Sequence, residues 1–75
     1  MSTELGCILK ELRLSKNMTQ KEIAQKIHVT QSAYAHYEAG RKEPKIETLI
    51  LLAEIHKTSI DYLVGRYGLP ERQAM

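Results

Sequence analysis

Apolar side chains recur at helical spacing along most of the chain. In the first segment they stand three and four residues apart, which places them on one face of a helix over residues 3–16. Those apolar positions are Leu5, Ile8, Leu9 and Leu12. Further groups predict a helix that starts at Gln20, one over residues 31–38, one over residues 46–57 and one that follows Ser59. The pattern therefore predicts an all-α chain of five short helices.

Polar residues with capping chemistry stand at the predicted helix ends. Thr19 is followed three residues later by Glu22, which is the spacing of a capping box at the start of the second helix. Thr30 and Ser59 are the predicted N-caps of the third and fifth helices. The residues predicted to end helices are Asn17, Gly40 and Gly65. We expect one domain over residues 1–65 and a C-terminal tail over residues 66–75.

The composition agrees with one small helical domain. The 75 residues leave room for a single core, and Gly and Pro are scarce, at four and two residues. The one cysteine, Cys7, forms no internal disulfide, and the three histidines lack the spacing of metal ligands. No apolar run is as long as a membrane span, and the first residues do not resemble a signal peptide. We expect a cytoplasmic protein without a metal, a cofactor or a small-molecule ligand.

The net charge is informative only when it is divided along the chain. The whole chain carries +2, whereas residues 10–45 carry eight basic and four acidic side chains and therefore +4. A basic segment favours a polyanionic partner. Solvated helix faces explain the same charges equally well, so charge alone does not choose between the two interpretations.

Only three residues separate the second and third predicted helices: His28, Val29 and Thr30. A link this short makes the two helices cross steeply, as they do in a helix-turn-helix unit. Counted from Gln20, the fifth position of the unit is the small Ala24, where close helix contact excludes a bulky side chain. The expected inward positions are Ile23, Ile27, Val29, Tyr34 and Tyr37. These matches favour a helix-turn-helix unit over an ordinary helical hairpin.

The third predicted helix is polar but uncharged. Residues 29–37 contain no Asp, Glu, Lys or Arg, yet most of them can form hydrogen bonds. A solvated helix face usually carries Lys and Glu, so an uncharged polar face next to cations is typical of a helix that enters the DNA major groove. Gln31, Ser32 and His36 are the candidates for base contacts. A solvent-exposed polar side chain is the alternative for each of them.

Candidates for phosphate contacts flank this helix. The start of the second helix can present backbone N–H groups and a positive dipole end to a phosphate. Two cations, Arg41 and Lys42, follow the predicted end of the third helix at Gly40. The predicted phosphate contacts are Thr19, Gln20, Lys21, Tyr34, Arg41 and Lys42. A solvated surface position is the alternative for each lysine.

Residues 9–65 resemble the lambda-type helix-turn-helix family of phage repressors, Cro proteins and XRE-like bacterial regulators. The resemblance is carried by the segments LRLSKNMTQKEIAQKI, VTQSAYAHYEAGRKEP and IETLILLAEIHKTSIDYLVG, and it covers about three-quarters of the chain. It implies a compact five-helix, lambda-repressor-like DNA-binding domain. It also implies sequence-specific binding of double-stranded DNA, usually by a homodimer on a palindromic operator. The resemblance by itself does not distinguish a repressor from an activator, and we expect a repressor.

The resemblance implies roles for single residues. Gln20 would touch a phosphate and brace Gln31, which would read a base. Arg13 and Glu38 would form a structural ion pair that orients the recognition helix. By the same resemblance, Ser32 would make a second base contact and His36 would face the bases.

Two positions depart from the family pattern. His28 stands where the family often has Gly, and Lys57 stands where it often has Gly or Asn. If His28 needs a positive φ, it adopts that conformation at some cost in strain. His56 is close to a usually apolar site, so we expect it to be packed or pH-sensitive rather than a metal ligand.

Surplus apolar side chains on the fourth predicted helix indicate a dimer surface. Ile46, Leu49 and Leu52 already supply an inward stripe, so Leu51 and Ile55 are expected to be exposed. The predicted isologous patch consists of Leu51, Ile55, Ile60, Tyr62, Val64 and Tyr67, and the tail contributes to it. Filling of the same core is the alternative for these side chains.

No arrangement of residues points to catalysis. The chain lacks a nucleophile–base pair, a phosphate-binding loop and a carboxylate dyad, so we expect no enzyme. The alternative to DNA binding is a protein-interaction module, such as an antitoxin-like or adaptor protein that retains the fold.

Overall fold

A computed structural model of the chain describes residues 2–64, and within this range the secondary structure is entirely helical. The five helices are α1 (Ser2–Ser15), α2 (Gln20–Lys26), α3 (Gln31–Ala39), α4 (Ile46–His56) and α5 (Ile60–Leu63). The predicted all-α fold and the predicted helix order are confirmed. The predicted stop at Gly65 and the tail over residues 66–75 lie outside the described residues.

Side-chain caps fix where three of these helices begin. The Thr19 hydroxyl accepts a hydrogen bond from the Glu22 amide at 3.0 Å, and the Glu22 carboxylate accepts one from the Thr19 amide at 2.8 Å. This is the predicted capping box of α2. The Thr30 hydroxyl accepts from the Ala33 amide at 3.0 Å in α3, and the Ser59 hydroxyl caps α5 in the same way.

The turns between the helices use left-handed backbone conformations. Gly40 has a φ of 77° at the end of α3, and Asn17 has a φ of 57° after α1. His28 and Lys57 have φ values of 62° and 54°, so both departures from the family pattern occupy left-handed positions. The chain therefore forms these turns with residues that carry a Cβ atom, although glycine adopts them at lower cost.

The core forms where α3 packs against both α1 and α2, while α4 packs against α5 and α5 against α1. We call the buried apolar residues the core cluster: Leu5, Leu9, Ile23, Ala24, Ile27, Tyr34, Tyr37, Leu52, Ala53 and Leu63. The side of α3 that carries Tyr34 and Tyr37 is thus covered by the rest of the domain. Its other side is left open.

Gly6 allows α1 to lie unusually close to the end of α3. A Cβ atom at this position would overlap the carbonyl oxygen of Glu38 and would lie 3.0 Å from the carbonyl oxygen of Tyr37. Both obstacles are backbone atoms, which cannot turn aside as a flexible side chain can. Gly6 therefore determines how closely α1 supports the last turn of α3.

The structure corrects the predicted burial pattern of α4. Ile46, which was expected to point inward, is 59% exposed, and Ile50 is 44% exposed. Leu51 and Ile55, which were expected to be exposed, are half-buried and pack against the core cluster. Seven of the eleven residues of α4 are apolar, so spacing alone could not show which side of this helix is covered.

Within residues 2–64, none of the helices combines the length and the apolar character that crossing a membrane requires.

Candidate functional site

The residues between α2 and α3 fold into a tight turn. The Val29 amide donates to the Ala24 carbonyl at 3.0 Å, and the His28 amide donates to the Gln25 carbonyl at 3.3 Å. The predicted inward positions Ile23, Ala24, Ile27, Tyr34 and Tyr37 are all buried, and Val29 is half-buried against the core cluster. The structure therefore confirms the burial pattern of the predicted helix-turn-helix unit.

The open side of α3 carries the predicted base contacts. Gln31, Ser32 and His36 are exposed, and the buried Tyr34 and Tyr37 lie on the opposite side of the helix. Sequence reasoning missed Ala39 and Ala35. Ala39 is exposed, Ala35 is half-buried, and the 100° rotation per residue places both near Ser32 on the open side. The helical period could have identified them.

The predicted phosphate contacts on α2 stand at its first turn. Thr19 and Lys21 are exposed, whereas Gln20 is half-buried. The capping box uses the backbone N–H of Thr19, and its hydroxyl accepts a bond from Glu22. A hydroxyl that accepts one bond still has its own hydrogen to donate, so Thr19 keeps one donor for a ligand.

Arg41 and Lys42 lie just beyond the other end of α3, and both are exposed. The Arg41 amide donates to the His36 carbonyl at 2.9 Å, which holds the backbone of this segment against the last turn of α3. Cations at a helix C-terminus also face the negative end of the helix dipole. The structure thus places positive charge at both the start of α2 and the end of α3.

Tyr34 is not available for a phosphate contact. Its side chain is 0% exposed, and its ring meets the Tyr37 ring edge to face with centroids 6.2 Å apart. The phenol lies beside Arg13 and Glu38 without a hydrogen bond of good geometry. Burial raises the pKa of Tyr34, and the neighbouring Glu38 carboxylate raises it further. The prediction of a phosphate contact by Tyr34 is wrong, because the side chain is buried in the core, as its predicted inward position requires.

Arg13 and Glu38 form the ion pair that was expected between α1 and α3. Arg13 Nε donates to Glu38 Oε2 at 2.7 Å, and Arg13 Nη2 donates to Glu38 Oε1 at 3.2 Å. Arg13 Nη1 donates to the Met18 carbonyl at 2.9 Å. Burial acts to raise the pKa of Glu38, but the bonds from Arg13, then the neighbouring Tyr34 phenol and then the bond from Gln20 outweigh it, so this pKa lies below its usual value. The pair stays charged at neutral pH.

Gln20 has a partner that sequence reasoning did not identify. Its Nε2 donates to Glu38 Oε1 at 3.1 Å, and not to Gln31, which the family resemblance had implied as its neighbour. Gln20 and Glu38 are eighteen residues apart. No local pattern in the sequence signals a contact at such a separation.

The described residues hold no arrangement typical of a metal centre. No group of three or more His, Cys, Asp or Glu in this part of the chain could hold a metal ion. His56 is packed: it is 8% exposed, and its two ring nitrogens have no hydrogen-bond partner. Cys7 is exposed on α1. An open depression of about 450 Å³ lies beside the turn between α1 and α2, lined by Lys16, Asn17, Met18, Glu22, Gln25 and Lys26.

The predicted dimer residues fall into two groups. Five of them are half-buried on α4 and α5 or just after α5: Leu51, Ile55, Ile60, Tyr62 and Val64. The sixth, Tyr67, lies outside the described residues.

Several known proteins resemble this chain. A helix-turn-helix family profile matches residues 9–63. The chain is 37% identical over 63 residues to the uncharacterized HTH-type transcriptional regulator YobD of Bacillus subtilis, covering 84% of this chain and 56% of YobD. It is 43% identical over 56 residues to the HTH-type regulator YqaE of the same organism, covering 75% and 48%. It is 34% identical over 67 residues to the cryptic phage CTXphi transcriptional repressor RstR of Vibrio cholerae, covering 89% and 60%.

The chain spans about half the length of the curated relatives that it matches. No solved structure matches it.

Proposed function

This chain belongs to the XRE-like helix-turn-helix family, and from that premise we propose that it regulates transcription by sequence-specific binding of double-stranded DNA. The observation that carries the proposal is the open side of α3, which is polar, uncharged and exposed at Gln31, Ser32 and His36. A helix with such a face fits the major groove, where base edges offer both hydrogen-bond donors and acceptors.

Each base-contact candidate has a matching chemistry. The carboxamide of Gln31 can bind adenine N6 and N7 with two hydrogen bonds. The Ser32 hydroxyl can donate to or accept from several base edges, and His36 can donate to guanine or to a phosphate. Gln31 and Ser32 are the first two residues of α3, the end that enters the groove first in helix-turn-helix proteins.

Exposed charges around this face supply the sequence-independent part of the affinity. Lys21 at the start of α2 and Arg41 and Lys42 after α3 are the cations that we place on phosphates. Thr19 offers its remaining hydroxyl hydrogen at the same end of α2. Such contacts fix the register of the protein on the duplex and release counterions on binding.

We place two copies of the chain on a palindromic operator. One α3 of nine residues reaches only a few base pairs, and a second copy related by a two-fold axis doubles the sequence that is read. The dimer surface uses the apolar side chains of α4, α5 and the tail that were predicted for it. Leu51 and Ile55 contribute less than an exposed patch would, because both already pack against the core cluster. RstR is named a repressor, and repression is the activity we propose here.

Selection of bound duplexes from a random pool tests the proposal. We expect enrichment of an inverted repeat whose half-site centres stand about 10 base pairs apart or a multiple of that spacing. Gln31→Ala should then lose discrimination at one position of each half-site, while Gln25→Ala, exposed on α2, should keep the full pattern. Sedimentation with operator DNA should show two chains per duplex. A pool without enrichment would overturn DNA reading and would favour the protein-interaction module instead.

A further inference from the structure

Glu38 is the point where three helices meet. Its carboxylate accepts two hydrogen bonds from Arg13 on α1 and one from Gln20 on α2, and Glu38 itself belongs to the last turn of α3. The side chains of Arg13 and Glu38 are 11% and 6% exposed. A carboxylate so far from water is stable only if its oxygen atoms keep these partners.

The hydrogen bond from Gln20 is the part of this network that includes α2. Among the side-chain hydrogen bonds of residues 4–64, it is the one that joins α2 to α3. The other side-chain bonds of α2 belong to the capping box and stay within its first turn. Gln20 is the first residue of α2, so the bond attaches the start of that helix to the end of α3.

From this geometry we propose that Gln20 is a positioning residue for DNA reading. By donating to Glu38 it sets the angle between α2 and α3, and thereby the angle at which the open side of α3 meets the base edges. The inference rests on the proposed function. It gives Gln20 a different role from the phosphate contact that the family resemblance implies.

The dimensions of α3 explain why this angle matters. Gln31 and Glu38 are seven residues apart in α3, which corresponds to about 10 Å along a helix axis. The turn through Val29 holds the start of α3 against α2, and the Gln20 bond ties its end at Glu38, so the two together fix the tilt of the helix and the directions in which Gln31 and Ser32 point. Hydrogen bonds to base edges depend on both distance and angle, whereas contacts with phosphates tolerate small shifts. Loss of the Gln20 bond should therefore reduce discrimination between sequences more than it reduces general attraction to DNA.

The chemistry of the side chain fits this role. A glutamine amide is neutral and donates through its nitrogen, so it adds a third bond to Glu38 without changing the charge of the ion pair. One N–H is committed to Glu38. Methionine has a similar length and no donor, which makes Gln20→Met the variant that removes the bond and little else.

Equilibrium binding to two duplexes tests the proposal, one containing the operator selected by the wild-type protein and one with the same bases shuffled. We expect Gln20→Met to bind the operator about tenfold more weakly, because without the bond only a fraction of the molecules hold α3 at the angle that reads the bases. Its affinity for the shuffled duplex should stay within about twofold of wild type, since phosphate contacts are sequence-independent. Gln25→Met makes the same substitution at an exposed position of α2 and should change neither affinity.

Three other results would overturn the proposal, and they are distinguishable. Equal losses on the two duplexes would make Gln20 a direct phosphate contact. Unchanged binding to both would show that the bond to Glu38 has no effect on reading. A wild-type protein that binds both duplexes equally would refute the proposed function itself, and the role of Gln20 with it.

Discussion

Strain is stored at single residues in the turns of this domain. Asn17, His28 and Lys57 hold a left-handed backbone although each carries a Cβ atom. Asn and His adopt this conformation more readily than most residues that carry a Cβ atom, Lys does so at greater cost, and all three pay more than glycine. His28 is exposed, so its side chain gains little from burial that would offset the strain. The left-handed conformation of His28 reverses the chain, so that the amide of the next residue, Val29, can donate to the Ala24 carbonyl.

His28→Gly should therefore stabilise the domain. Glycine removes the steric cost of a φ of 62° but adds freedom to the unfolded chain, so we expect a net gain of about 0.5–1 kcal/mol. Urea denaturation followed by circular dichroism measures the change. His28→Val gives the opposite sign, since a β-branched residue tolerates this backbone conformation least. Stabilisation by valine would show that the turn can adopt another conformation.

His56 is the second residue that lowers the stability of the fold. Its imidazole is buried with two unpartnered nitrogens. Burial lowers its pKa below the ordinary 6.5, and the charge of Lys16 lowers it further. The folded state therefore disfavours the protonated ring, while the unfolded chain accepts the proton at the ordinary pKa.

The sign of the pH dependence follows from this difference. The contribution of His56 to stability is complete above pH 6.5 and is lost as the pH falls toward its lower folded-state pKa. His56→Leu should remove this loss. It should also raise the free energy of unfolding by about 1–2 kcal/mol at pH 7.5, because it replaces unpartnered polar atoms by an apolar side chain. Urea titrations at pH 7.5 and pH 5.5 test both statements. If the free energy of unfolding of the variant falls between pH 7.5 and pH 5.5 as much as that of the wild type, another group causes the acid sensitivity.

At the scale of the helices, local signals and distant contacts differ in how far sequence reveals them. The capping box of Thr19 and Glu22 lies within four residues and has one geometry, so its spacing alone predicted it. The sequence around Gly6 carries no such signal, because a glycine is needed there only to make room for the backbone of α3, more than thirty residues away. The bond from Gln20 to Glu38 was missed for the same reason.

The close approach at Gly6 makes a prediction about the packing of α1 on α3. Alanine normally stabilises a helix interior relative to glycine by about 0.5–1 kcal/mol. In Gly6→Ala the new Cβ would overlap the Glu38 carbonyl oxygen, and α1 would have to move away from α3. We expect a net destabilisation of about 1–3 kcal/mol, as for other overpacked cores, measured by thermal or urea unfolding. Cys7→Ala, at the exposed neighbouring position, is the control and should stay close to wild type. A Gly6→Ala variant more stable than wild type would mean that the two helices separate at no cost.

At the scale of the whole molecule, the covering of α4 was the part that sequence could not determine. The apolar residues of α4 point in all directions around its axis, so the identity of its buried side depends on where α5 lies, and that is a property of the assembled fold. The exposed side of α3 was easier to predict. On α3 the buried aromatic residues and the exposed polar ones separate cleanly, and the helical period alone places them on opposite sides.

The distribution of charge over the molecule leads to a prediction about salt. If Arg41 and Lys42 each neutralise a phosphate, replacing either by Ala reduces the slope of log affinity against log salt concentration by about 0.9. The operator and an unrelated duplex should be affected alike, because the lost contact carries no sequence information. Lys26→Ala is the control: this lysine ends α2 at the opposite end from Gln20, and its removal should leave the slope unchanged. A lower slope for Lys26→Ala together with an unchanged one for Arg41→Ala would place the DNA on the other end of α2. Since the end of α2 leads through the turn into Gln31 whereas Arg41 follows the far end of α3, the same titration tests which end of α3 lies over the DNA.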